Sequence, residues 1–243
     1  MREGCRRDFA LTTPSPASCG RGSLGCQQMF NRTRVTGNGK HCCKMRYLYA
    51  TVLENQNSFM NKKIAQLGQF TTGDYYAGPF FRRTFWYVIS RIFFQSFFPW
   101  PSSLKATLLR RFGAKVGNHL VVKPHVLIKF PWFLEIGHNV WLGEHSWIDN
   151  LVLVRLGDNV CISQGAYLMT GNHDYTAENF AYRLGPIVIE QGAWVGAHAI
   201  VAPGVTLSSH SVLTAGSVAV RDTDPYFIYQ GNPAKPLRAR AIR

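Results

Sequence analysis

The chain has 243 residues, with 27 Lys and Arg against 13 Asp and Glu and a formal charge of +14. That length allows one sizeable core or at most two, and the positive excess points to an anionic partner such as a phosphorylated small molecule or a membrane surface. The basic residues are scattered without a long Lys/Arg block, which argues against nucleic acid, and no uninterrupted apolar run of about 18 residues is present to span a membrane.

Residues 1–59 are rich in Arg, Ser, Thr, Gly and Cys, with little periodicity. They read as a disordered leader, or as sequence upstream of a natural start at Met60. Five of the six cysteines lie here, Cys5, Cys19, Cys26, Cys42 and Cys43. They form no pair of CxxC units with histidine partners and staple no patterned core, so neither a zinc site nor a disulfide framework is expected. No apolar secretory stretch follows the charged start, and a cytoplasmic setting is expected.

Residues 60–112 read as a helical cap. The run FFRRTFWYVISRIFFQSFFPW suits an amphipathic helix ending before Pro99, followed by a second helix from an N-cap at Ser103 to Phe112, with Gly113 as its stop. Arg82, Arg83 and Arg91 break up the aromatics, a composition also suited to the inner face of an anionic membrane.

From Gly113 the grammar changes. Apolar anchors recur every six residues: Val116, Val122 and Ile128; then Ile136, Leu142 and Ile148; then Leu156, Ile162 and Leu168. Two-residue slips separate these sets. After an excursion over 170–186, the period resumes at Ile189, Val195, Val201, Leu207 and Leu213. Helices repeat every three to four residues and plain strands every two. A hexapeptide register instead means a parallel β-helix, three short strands to a coil of about 18 residues, with the anchors stacked inside. Small residues after the anchors, such as Gly117, Gly143 and Gly196, fit corners where a side chain would crowd the turn. The expected fold is therefore all-β: a parallel β-helix over 113–243, capped by the helices at one end and by the tail YFIYQGNPAKPLRARAIR at the other.

The anchors combine with TGNHDY on the excursion, WVGAHAIVAPGV, LTAGSVAVRD and YQGNPAK. Together these resemble the hexapeptide-repeat acyltransferases over about Gly73 to Arg238, in particular the sugar O-acetyltransferases and the colanic-acid type of exopolysaccharide acetyltransferase. The resemblance implies a left-handed helix, acetyl-CoA as cosubstrate without a metal, a sugar or glycan-precursor acceptor, and a homotrimer with sites between subunits. It also implies that His173 is the catalytic base. A histidine can take the proton of a sugar hydroxyl as that hydroxyl attacks a thioester, and return a proton to the leaving thiolate.

By the same matching, Ala197 falls at the oxyanion-side turn and Ala215 at a coenzyme contact one coil on. Val220, Arg221, Lys235 and Arg238 fall at positions facing the anionic nucleotide. Asp149 and Asn150 stand only approximately where simple-sugar enzymes carry an acidic pair, so a different acceptor is expected. His119, His125, His138, His145, His198 and His210 lie inside the repeat and read as packing or surface residues. The competing readings are acylation of an antibiotic or amino acid, a carbonic-anhydrase-like metal trimer, and a scaffold without catalysis.

Overall fold

A computed structural model describes residues 63–242; the expectations for residues 1–59 lie outside the described residues. The chain enters through a 3-10 turn (Leu67–Gln69) and then two helices, α1 (Phe80–Ile89) and α2 (Ser102–Arg111). A π-helical turn (Ser90–Phe94) extends α1.

The remainder is a parallel β-helix. Its first coil is β1 (Lys115–Val116), β2 (Val121–Val122) and β3 (Leu127–Ile128). The second is β4 (Leu134–Ile136), β5 (Trp141–Leu142) and β6 (Trp147–Asp149), and the third is β7 (Val154–Leu156), β8 (Cys161–Ile162) and β9 (Tyr167–Met169). A hairpin, β10 (Gly171–His173) and β11 (Tyr182–Leu184), then leaves the wall. The fourth coil is β12 (Ile187–Ile189), β13 (Trp194–Val195) and β14 (Ile200–Val201), and the fifth is β15 (Thr206–Leu207), β16 (Val212–Leu213) and β17 (Val218–Ala219). The tail forms an antiparallel pair, β18 (Phe227–Gly231) and β19 (Ala234–Ala239), with β18 laid parallel on β16.

Every anchor from Val122 to Leu213 is buried, and Val116 is half-buried under the cap. The register stacks like on like: Ile128 beside Ile148, Ile148 beside Leu168, and Leu168 beside Val201. Burying each such aliphatic side chain stabilises the fold by about 1.5–3 kcal/mol. The column also runs one step past the predicted anchors, to Ala219, 2% exposed against Val201.

The corners explain the small residues. A Cβ on Gly117 would stand 2.5 Å from the Gly137 carbonyl oxygen, and one on Gly196 2.6 Å from the Ala215 nitrogen. The backbone of the next coil, rather than the turn itself, excludes the side chain. Three residues after each anchor on the first two faces the backbone is left-handed, with φ between +54° and +68°. Those positions hold only His119, His125, Asn139, His145, Asn159, Gly165, Gly192, His198, His210 and Gly216. Gly takes this conformation freely, and Asn and His are enriched in it among residues with a Cβ. Successive corners stack: the His125 and His145 rings lie parallel, 4.6 Å apart, and His210 lies likewise on Tyr226. Five of the six repeat histidines are thus corner residues; the sixth, His138, accepts the Asn118 N–H on Nδ1.

An open coil would leave unpaired peptide groups. The cap meets them face by face. Arg110 donates to the Val116 and Gly117 carbonyls, at 3.0 and 2.7 Å. Ser102 Oγ accepts the Val122 N–H, and Lys105, fully buried, donates to the Val122 and Lys123 carbonyls. Trp86 Nε1 donates to the Ile128 carbonyl at 2.9 Å. Ser103 is therefore not an N-cap: α2 begins at Ser102 after Pro101, and the Ser102 hydroxyl is spent on the β-helix. Gly113, at φ +96°, stops the helix, its N–H donating to the Arg110 carbonyl.

Candidate active site

His173 ends β10, off the wall, and pairs with Tyr182 across the hairpin. Its Nδ1 lies 2.8 Å from the Phe180 carbonyl oxygen. A carbonyl can only accept, so Nδ1 carries a hydrogen, and in the neutral ring the lone pair is on Nε2. The ring is wedged among aromatics: Phe180 stacks on it at 4.4 Å and 13°, and Phe70 and Tyr182 approach at 5.6 and 5.1 Å. Phe180 itself sits at φ +51°, a strained position that turns its carbonyl to the imidazole. Asp174 plays no part in orienting the ring. Its carboxylate accepts from the Thr176 hydroxyl and N–H, which hold its pKa below the usual carboxylate range.

A strap formed by the chain before α1 crosses this hairpin. The Gln66 N–H donates to the Glu178 carbonyl at 2.7 Å, and Lys63 pairs with the Glu178 carboxylate. Phe70 and Tyr75 pack edge-on against Tyr182. Tyr75 is a residue the motifs did not single out. Its hydroxyl is buried without a hydrogen-bond partner among the described residues. Burial, reinforced by Tyr182 and the negative charge of Asp149, raises its pKa to about 12.

The two acceptor candidates separate. Asp149 is 8% exposed; its carboxylate pairs with Lys129 at 2.8 Å and accepts the Tyr167 hydroxyl at 3.2 Å. Burial and that same carboxylate raise the Tyr167 pKa to about 12, so the phenol stays a donor at neutral pH. Asp149 thus lies in a polar cluster beneath the hairpin. Asn150 is fully buried, accepting the Phe130 N–H and donating to the Phe130 and Phe133 carbonyls. Its amide ties the chain where β3 passes into β4, leaving nothing to offer an acceptor. Trp147 stacks on Tyr167 at 4.5 Å, and Trp141 is 59% exposed.

Ala197 and Ala215 stand one above the other, their coils joined by the Gly216 N–H donating to the Ala197 carbonyl. The Ala197 and Ala215 N–H groups make no hydrogen bond among the described residues. Val220 is exposed just beyond β17. Arg221 and Lys235 share a depression of about 300 Å³ with Asp222, Asp224 and Tyr229. Asp222 accepts the Thr206 N–H and Asp224 the Tyr229 hydroxyl, while neither cation is ion-paired among the described residues. Arg238 is exposed on β19 and does not line that depression. Among the described residues, no three His, Cys, Asp or Glu side chains group as metal ligands.

No protein-family model matches the chain. It is 38% identical over 136 residues to WcaF of Escherichia coli K12, named for colanic acid biosynthesis acetyl transfer, covering 56% of this chain and 75% of that one. It is 31% identical over 137 residues to the galactoside O-acetyltransferase of the same organism, covering 55% and 68%. Among solved structures, a hexapeptide-repeat acetyltransferase from Vibrio cholerae superposes with a TM-score of 0.60 at 25% identity, over 66% of this chain and 92% of that one. A galactoside acetyltransferase in complex with coenzyme A gives 0.59 at 26%, over 65% and 80%. Hexapeptide coils, a histidine arm and relatives matched over most of their length converge on one conclusion: the chain belongs to the hexapeptide-repeat acetyltransferases.

Proposed function

We propose that the protein transfers an acetyl group from acetyl-CoA to a sugar hydroxyl of a glycan precursor, with His173 as general base. The observation that carries this reading is the 2.8 Å contact of His173 Nδ1 with the Phe180 carbonyl, which leaves Nε2 free to accept a proton. Nε2 takes the hydroxyl proton as the oxygen attacks the thioester carbon. The unpaired Ala197 N–H donates to the developing oxyanion. The imidazolium then returns the proton to the departing thiolate, and the base is regenerated.

The groove along Ala197 and Ala215 suits a narrow thioester arm, since neither side chain projects beyond a methyl group. Arg221 and Lys235 suit the phosphates at its far end, with Val220 and Arg238 flanking them. A relative solved with coenzyme A and one named for galactoside O-acetylation support donor and acceptor class. Asp149, supported by Lys129 and Tyr167, is the acceptor-side carboxylate. The working unit is a homotrimer whose sites lie between subunits.

Release of free thiol from acetyl-CoA across a panel of glycans, amino acids and aminoglycosides tests the reading. Thiol release is expected with hydroxyl-bearing glycans, and release confined to amine acceptors would overturn it. Changing Arg221 or Lys235 to Ala is expected to raise KM for acetyl-CoA by roughly tenfold with kcat little changed, because a charge-assisted phosphate contact is worth about 1.5–3 kcal/mol. An unchanged KM would return both residues to a solvated surface.

A further inference from the structure

The helix α1 is apolar on two sides. Its inner side buries Trp86, with Ser90 and Phe94 following in the π-turn. Its outer side carries Phe81, Phe85, Val88 and Ile92, spaced four, three and four residues apart on one stripe, and 74, 65, 48 and 47% exposed. Phe97, in the bend after the π-turn, is 84% exposed. Monomeric surfaces rarely leave so many large apolar side chains together.

The charge around the stripe has one sign. No Asp or Glu occurs between Phe80 and Phe112, while Arg82, Arg83, Arg91, Arg110 and Arg111 do. Arg82 is committed to the Phe112 carbonyl and the Trp132 ring, and Arg110 to β1. Arg83 and Arg91 are exposed and unpaired by any carboxylate among the described residues; Arg91 lies over Tyr87 at 5.2 Å. Both line an open, largely apolar cleft of about 490 Å³ between α1 and β3, with Lys129 on its opposite side. No helix among the described residues is long and apolar enough to cross a membrane.

We infer that this face docks the protein on an anionic lipid surface: the Phe81–Ile92 stripe enters the acyl boundary, and Arg83 and Arg91 meet lipid phosphates at the cleft. At roughly 100° per residue Arg91 stands about a quarter turn from the stripe and Arg83 on the far side of the helix, and apolar residues on one face with cations on the other are the parts of an interfacial helix. A two-fold contact between copies would set this cationic face against itself, whereas anionic lipid complements it. The inference stands apart from the acetyl-transfer reading, since vesicle recovery and molar mass are read without turnover.

The test is flotation of the whole chain with vesicles of phosphatidylcholine alone or mixed with phosphatidylglycerol. Its companion is the molar mass in solution by analytical ultracentrifugation. Affinity for the anionic vesicles is expected to exceed that for neutral ones by roughly thirtyfold, in keeping with about 1 kcal/mol for each of the two arginines near the surface. Arg83→Gln with Arg91→Gln is expected to abolish the preference, and Phe81→Ser with Phe85→Ser to abolish recovery, both at unchanged mass. Equal recovery on both vesicles, or none, would overturn the inference. So would a fall in mass of the Phe variant, which would make the stripe a contact between copies.

Discussion

Replacing His173 with Ala is expected to lower kcat by about 10²–10⁴-fold, the usual share of a positioned general base. Coenzyme A affinity should be nearly unchanged, because the imidazole lies on the hairpin and the unpaired Ala197 and Ala215 amides lie on the wall. His173→Asn sharpens the test: its amide nitrogen stands about where Nδ1 does and can still donate to the Phe180 carbonyl, but it cannot take the hydroxyl proton. It should be as inactive as the Ala variant. Asp174→Asn is the control, since the Asp174 carboxylate is occupied by Thr176 and does not touch the ring. Its rate should stay near that of the parent. Stopped thiol release with intact coenzyme binding is the expected pattern, and turnover surviving in His173→Ala would remove the base from the mechanism.

Leu168→Ala is expected to lower the free energy of unfolding by about 2–5 kcal/mol. Leu168 is fully buried between Ile148 and Val201, and the column on either side is too rigidly spaced to close over the missing carbons. Leu168→Met, which keeps the volume, should cost less than about 1.5 kcal/mol. Leu237→Ala, on the exposed side of β19, should fall within about 0.5 kcal/mol of the parent. Urea midpoints with the accompanying slopes give all three. A small loss for Leu168→Ala would mean that the columns relax as a looser core does.

Those two residues also mark what can be read from the chain itself. Leu168 was legible because its burial is written in a six-residue period. The column's last member, Ala219, was not, since a lone alanine carries too little apolar signal to extend a pattern. The place of His173 off the wall was legible from the break in the six-residue period. Its tautomer was not, because the Phe180 carbonyl is a backbone group that only the hairpin brings within reach. Tyr75 and Phe70 reach the hairpin from about a hundred residues earlier, and nothing local announces such a contact. Asn150 was named for its approximate match to an acidic pair of relatives, and a match of position carries no information on the backbone groups of Phe130 and Phe133 that hold its amide. The corner histidines carried a signal in plain view. Only His, Asn and Gly occupy their position, and that restriction follows from a left-handed backbone rather than from packing.

The coils are not of equal length, and the inequality has a fixed location. Four residues separate the strands at every passage from the first face to the second and from the second to the third. All variation falls at the third edge: the anchors stand eight residues apart from Ile128 to Ile136, where Pro131–Phe133 form a turn, and again from Ile148 to Leu156, and the His173 hairpin departs before Ile189. Two edges are thus closed seams, where an added residue would throw the next column out of register. The third is an open seam, where chain can be paid out without disturbing the stack. A rigid prism with one such seam can acquire an arm like the His173 hairpin by insertion while its wall is preserved, and grafts of further chain belong at that edge.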